Sequence, residues 1–283
     1  MKQKRMEEYK TDGKEKKMNE TIKIIENLKT IRKFSDKNIK DEDLLIIMKS
    51  SVNAATASAR QTYSIIAIEN REVMKEIGCV GNKLLIFCVD FNRMIDTTEY
   101  LGFEYVQGIP LVDFITGSTD TILAAQTASI AAKSMGIDSL FSNCVHRGDM
   151  HRLFRLLKLP EKYCFPIIAL ALGYSDEEES KRVKKGRLSG PGIIHFNEYK
   201  RANAEELENI VLEYDDRDKN FLSLLNNWEE KGYNHYLDYF YEVWCGYEKK
   251  GQKPTGGRKP ERNYSGVEEM LIKTGFLRKE NCS

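Results

Sequence analysis

Long hydrophobic runs are missing from this chain. The longest apolar stretches, residues 84–89 and 167–172, are strand-length, whereas a bilayer-crossing helix needs about 20 apolar residues. No membrane span is expected. A surplus of one charge sign is missing too: 44 Lys and Arg against 43 Asp and Glu leave a formal charge of +1. The molecule as a whole therefore has no field that would draw it to nucleic acid or anionic lipid, and any anion site has to be local. The N-terminal residues are rich in Lys and Glu without an apolar h-region, so secretion is not expected. The six cysteines (79, 88, 144, 164, 245 and 282) form no C-x-x-C pair, which argues against a disulfide framework or a thiolate metal site. Cys88 and Cys164 lie in apolar or aromatic surroundings and read as small core residues. A reducing cytoplasm suits this usage. The four histidines (146, 151, 195 and 235) show no ligand spacing; His146 and His151 are five apart, off a common helix face, and no metal is expected. There is no G-x-G-x-x-G, no P-loop and no internal repeat.

What remains is a chain of 283 residues with 41% hydrophobic content and 10% aromatics, enough to build a sizeable core. Residues 20–28 carry Ile22, Ile24, Ile25 and Leu28 at approximate helical spacing. Asp41 opens a second helix, with acidic residues in its positive first turn. Residues 63–69 and 83–90 read as strands, the second apolar enough to lie in the interior of a sheet. Ser118 or Thr119 is expected to cap a long helix that runs to Met135 and stops at Gly136. Its many alanines suit a slim helix buried between others. A further helix is expected from Asp149 to Lys158, a strand at 167–172, and a short strand at 193–196. Asn203 with Glu206 and Ser265 with Glu268 have capping-box spacing. Residues 249–263, rich in Lys, Gly and Pro, read as a surface loop. The fold class is α+β, with a helical C-terminal arm.

Two basic clusters carry the chemistry: Lys29-Thr30-Ile31-Arg32-Lys33-Phe34 and Lys184-Lys185-Gly186-Arg187-Leu188. A guanidinium stays charged and can grip a phosphate with two donors; Thr30 adds a hydroxyl and Lys29 a second cation. Taken singly, each cluster also reads as a solvated charged face. Brought together by the fold, they would suit a phosphate-bearing cofactor.

The order of segments resembles the FMN-dependent nitroreductase and NAD(P)H:flavin oxidoreductase family, in particular its NADPH-preferring branch. The resemblance rests on residues 31–36 with Ile39, on Phe87–Arg93 as a strand-ending segment, and on Asp120-Thr121, Ala125-Gln126 and residues 131–136 of the long helix. Leu156–Pro160, Leu170–Tyr174 and Lys185-Gly186-Arg187-Leu188 follow in the same order, so that it spans residues 22–199. It implies a nitroreductase-like fold, with a central mostly antiparallel sheet flanked by helices, in an intertwined homodimer. Residues 1–19, almost all polar or charged, read as a mobile tail; the resemblance makes 20–200 an FMN-binding domain, followed by a helical extension at 201–283 packing on that domain or on the partner. FMN would be bound by Lys29, Thr30, Arg32, Lys185 and Arg187, by Thr56, Ala57, Ser58 and Gln61, and by Ser142, Asn143 and Cys144. No side chain would do bond chemistry. The flavin would pass electrons from NAD(P)H, as co-substrate, to a small-molecule acceptor such as a nitroaromatic, a quinone or free flavin, by a ping-pong route. Three departures stand out. Leu28 replaces a His or Arg, the segment 69–83 is short, and residues 141–145 lack a Gly-Gly pair. They leave open an alternative, a flavin-binding member without efficient turnover.

Overall fold

Strand β2 (Lys83–Asp90) is the centre of the molecule, and its alternation builds two cores at once. The chain is seen as a computed structural model that describes residues 19–190, 192–216, 227–249, 264 and 266–278. β2 pairs antiparallel with β1 (Tyr63–Ile68) and β4 (Cys164–Gly173), and β4 pairs antiparallel with β3 (Asp138–Ser142), giving the order β1-β2-β4-β3. Successive side chains of a strand point to opposite faces. Leu84, Ile86 and Cys88 accordingly join Phe165, Ala169 and Ala171 in one cluster, while Leu85 and Phe87 join Leu170 and Leu172 in the other. The register slips between Phe87 and Cys88, opposite Pro166; an irregular step is where an interior strand tolerates a proline.

The first face is covered by α3 (Arg71–Ile77), α6 (Met150–Leu157) and α10 (Gly266–Lys273), through Met74, Leu153, Phe154 and Met270. The second face is covered by α2 (Asp41–Ser51) and the 25-residue α5 (Pro110–Ser134). Ala124, Ala125, Ala128 and Ala132 of α5 are all essentially buried there, so the alanines let this helix lie close to the sheet. Two short helices, α1 (Glu20–Glu26) and α4 (Asn92–Tyr100), complete this part together with α7 (Glu177–Lys181). Asp149 caps α6 and Lys158 ends it in left-handed backbone.

Several expectations need correction. The long helix begins at Pro110, not at Ser118 or Thr119. Pro110 takes the first helical position, where its missing N–H costs nothing, and the hydroxyl of Thr119 bonds back to the Ile115 carbonyl instead of capping. Gly117 stays inside the helix because Val89 and Phe91 pack where a side chain would stand. That helix is not enclosed on all sides: Leu111, Val112, Ile115, Ile122 and Leu123 are exposed. Residues 193–196 form no strand; Ile193 and Ile194 donate to the Gly190 carbonyl in a turn. Cys79 and Cys144 form a disulfide against the expectation of none, because the fold brings positions 65 apart in sequence to a Cα–Cα distance of 6.4 Å. Cys88 and Cys164 remain buried free thiols. The tail at 1–18, the greater part of the 249–263 loop, Ser265 and Cys282 lie outside the described residues.

Contacts divide the chain into two compact units. One comprises the described residues up to Ser180 and from Gly266 onward; the other runs from Lys181 to Tyr264. The second contains α8 (Ala204–Asp215), with the expected Asn203–Glu206 capping box, and α9 (Tyr236–Tyr239). Its own small core is aromatic: Trp228 and Tyr236 are buried among Tyr214, Tyr233 and Phe240. Asp215 ties its ends, accepting from the Tyr236 N–H at 2.8 Å and pairing with His235 at 2.6 Å.

Candidate flavin site

The first basic cluster is laid along the free edge of β3. Thr30 bridges Ser139 in parallel, and the Ile31 N–H donates to the Ser139 carbonyl at 3.1 Å. Ile31 is fully buried, so the alternation of an extended segment leaves Thr30 and Arg32 exposed on either side of it. The Arg32 backbone N–H donates to the carboxylate of Glu179, a residue only 6% exposed. Lys29 lies against the same short helix, its ammonium donating to the carbonyls of Glu179 and Ser180 at 3.4 and 2.8 Å. The segment ends where Phe34 bridges Ser175 beyond β4.

Ser142, Asn143 and Cys144 lie at the other end of β3, in its last residue and the turn that follows. Asn143 is exposed; Cys144 is buried, bonded to Cys79, and its N–H donates to the Ser142 hydroxyl. His146, just beyond, meets the Pro166 carbonyl at 2.8 Å and stacks on Phe165. Burial pulls its pKa below the usual 6.5, the hydrogen bond only partly opposing this, so the ring is neutral near neutral pH.

The loop from Thr56 to Gln61 is held elsewhere, against the first half of α5. Asp120 accepts from the Thr56 hydroxyl at 2.6 Å and from the Ala57 N–H at 3.0 Å. The middle of α5 reaches the first cluster's neighbourhood, since Ser129 shares a 2.9 Å hydrogen bond with Ser139. At 1.5 Å of rise per residue, positions 120 and 129 are about 13 Å apart along the helix. Ser58 is exposed, whereas the Thr56 hydroxyl is committed inward. Beside the loop is an open cavity of about 340 Å³, lined by Met48, Val52, Gln61, Tyr63 and Arg93 among others.

Lys185 and Arg187 belong to the second unit. The Arg187 guanidinium, exposed, donates to the carbonyls of Lys185 and Gly186 at 3.1 and 2.7 Å. Burial first and then Arg182 lower the Lys185 pKa. Within the first unit, then, Lys29, Thr30 and Arg32 lie along β3 beside Ser139, Ser142–Cys144 lie at the far end of that strand and in the turn after it, and the 56–61 loop is held separately against α5. Sequence reasoning did not nominate Asp120 or Glu179, the two buried carboxylates that shape these segments. The capping-type hydroxyls near Asp120 were the available signal.

No family model matches the chain. It is 28% identical over 272 residues to an FMN reductase [NAD(P)H] of Bacillus subtilis, covering 92% of this chain and 98% of that protein. Among solved structures it resembles B. megaterium NfrA2 at a TM-score of 0.73 and 23% identity, covering 93% of this chain and all of the other. It also resembles the NfrA1 nitroreductase of B. subtilis at a TM-score of 0.63 and 25% identity, covering 90% and 93%.

Proposed function

We propose that this chain is a member of the nitroreductase family, an FMN-dependent oxidoreductase that takes electrons from NAD(P)H and delivers them to a small-molecule acceptor. The acceptors we propose are nitroaromatics, quinones or free flavin, served alternately with the nicotinamide in a ping-pong cycle. One observation carries the reading: the Lys29–Arg32 segment, with its exposed Thr30 and Arg32, is laid beside Ser139 on the edge of β3, the strand that leads into the Ser142–Cys144 turn. The residue types fit the cofactor. Arg32 and Arg187 supply permanent cations, and Lys185 a further one, for a phosphate and for the electron-rich edge of the ring, and Thr30, Ser58, Gln61 and Asn143 supply neutral hydrogen-bonding groups.

FMN, when bound, supplies the hydride and electron chemistry. The chain's own task is orientation, charge complementarity and access. Lys185 and Arg187 would hold the phosphate of a bound FMN, and Arg32 would place a fixed positive charge where electron density gathers on reduction. The Glu179 carboxylate fixes the backbone beneath Arg32. Because the 56–61 loop is held to Asp120 and the Ser139 edge to Ser129, positions about 13 Å apart along α5, we assign the loop to the partner's site in a homodimer. The exposed apolar row of α5, with Leu45 and Ile46 of α2 about half exposed, supports that assignment. A small-molecule acceptor in the cytoplasm completes the reading.

The alternative, a flavin binder that turns over poorly, draws on Cys144. The turn that the family makes flexible with glycines is here stapled to Cys79. Purification with stoichiometric FMN tests the binding half. Arg187→Ala should weaken FMN retention by about 1.5–3 kcal/mol, the worth of a charge-assisted hydrogen bond. Equal occupancy in variant and wild type would remove Arg187 from the site, and a chain that rejects added FMN would remove the function.

A further inference from the structure

The 56–61 loop is held in a shape that its residue types resist. Ser58, Ala59 and Gln61 have φ of +53°, +55° and +50°. These are three of the six non-glycine residues with left-handed backbone among the described ones, and all three fall within four positions. Left-handed backbone is unfavourable for residues with a Cβ and persists only where the surroundings impose it.

Two side chains of opposite charge impose it here. Asp120, 2% exposed on α5, accepts from the Thr56 hydroxyl at 2.6 Å, the Ala57 N–H at 3.0 Å and the Thr62 hydroxyl at 3.4 Å. The Thr56 hydroxyl in turn accepts from the Gln61 N–H at 3.0 Å. On the carbonyl side, Arg93 of α4 donates to the oxygens of Arg60 and Gln61 at 2.6 and 2.8 Å. A carboxylate has two acceptor oxygens and no donor, so it can take donors from the loop's start and end together. The cation takes the acceptors between them.

We propose that Asp120 is a positioning residue of the flavin site, one that fixes the left-handed course of residues 58–61 so that the loop meets the flavin ready-shaped. The proposal rests on the FMN reading above. It gives Thr56 a part different from the one the sequence suggested: its hydroxyl serves as an inward relay between Asp120 and Gln61. A buried helical acid could instead serve stability alone, and the two roles separate experimentally. If Asp120 matters because it holds residues with side chains in left-handed backbone, glycine at those positions makes it dispensable, since glycine adopts that backbone freely.

The test uses full-length apo-protein and free FMN as the probe. Asp120→Asn, Thr56→Val, and Asp120→Asn combined with Ala59→Gly are compared with wild type. FMN affinity is read by fluorescence titration, loop order by hydrogen exchange at Ala57 and Gln61, and overall stability by melting. Asp120→Asn should weaken FMN binding on the order of tenfold, the cost of one compromised charged hydrogen bond. It should also speed exchange at both amides and shift melting little, and the added glycine should restore part of the affinity. Thr56→Val repeats the binding and exchange effects should Asp120→Asn fail to fold. Binding equal to wild type despite fast-exchanging loop amides overturns the proposal, as does weak binding that the glycine leaves wholly unrepaired. A wild-type chain that takes no FMN overturns the functional reading and this proposal with it. FMN bound equally by wild type and variants overturns this proposal alone.

Discussion

Lys83 and Asp138 show how single charges anchor this fold. The Lys83 side chain is 5% exposed at the start of the central strand and pairs with Glu69 and with Asp41. Burial pulls its pKa down, but Glu69 and Asp41 more than reverse this and hold it above 10.5. Its stabilising contribution is therefore complete below about pH 10.5 and is lost as pH rises through the higher folded value. Neutralising both carboxylates, in Asp41→Asn with Glu69→Gln, leaves a buried ammonium unpaired and should cost about 2–3 kcal/mol in urea unfolding at pH 7, toward the low end because both carboxylates are partly solvated. Lys83→Met should cost less. A double variant as stable as wild type contradicts this account.

Asp138 acts in the opposite sense. It accepts from Lys133 at 2.9 Å and from the Ser175 N–H at 3.3 Å, tying the end of α5 to β3 and to the segment just beyond β4. Burial raises its pKa, but those bonds lower it by more, to a net value below 3.8. Its stabilisation is present above that unfolded value and disappears as pH falls through the lower folded one. Asp138→Asn should unfold earlier at pH 7 and flatten the stability profile below pH 4; matching wild-type and variant profiles there would remove the anchor. Neither residue stands out in the sequence, because a single Lys or Asp at an element's end reads as solvated. Asp120 was hidden in the same way. Its role depends on three positive φ values that no residue preference announces, since Ser, Ala and Gln are ordinary right-handed residues.

Elements were more legible than residues where their signals are local. The uninterrupted apolar run at 83–90, the acidic first turn of α2 and the caps of α6 each specify their element within a few positions. Signals with a second use misled. Ser118 and Thr119 look like caps but lie inside a helix already under way, where the Thr119 hydroxyl bonds back to Ile115, and 193–196 has strand-like residues without a strand to pair. β3 has polar residues at 138, 139 and 142, and only pairing with β4 makes it a strand. The Cys79–Cys144 bond was illegible, since spacing of 65 residues carries no motif. Closing a loop of that length is worth about 4 kcal/mol on chain-entropy grounds. Cys79→Ala with Cys144→Ala should therefore lose up to that amount against the oxidised wild type and almost none against the reduced one. Equal losses in both buffers would show that packing, not the bond, is responsible. Close approach matters equally at Gly173, where a Cβ would overlap Asn82 and come within 2.6 Å of Phe34. Gly173→Ala should cost about 1–3 kcal/mol and loosen FMN binding, because displacing Phe34 drags the Arg32 segment off β3. Unchanged FMN affinity would disconnect this packing from the site.

At the scale of the whole molecule, the α+β class and the antiparallel sheet follow from the sequence, while the assembly does not. Half of α5 is spent on the sheet, and the other half exposes Leu111, Val112, Ile115 and Ile122. A dimer formed through that row would bring the partner's 56–61 loop to the Thr30 edge. Light scattering should then give twice the chain mass of 32.7 kDa, and Ile115→Lys with Ile122→Lys should give monomers that no longer retain FMN. Monomers that keep FMN would place the whole site within one chain. The most direct test of the account is anaerobic titration of the purified, FMN-loaded protein with NADPH and with NADH. It predicts that the yellow flavin band bleaches with at least one of them and returns on adding nitrofurazone or menadione. Colour that neither nicotinamide bleaches would contradict it.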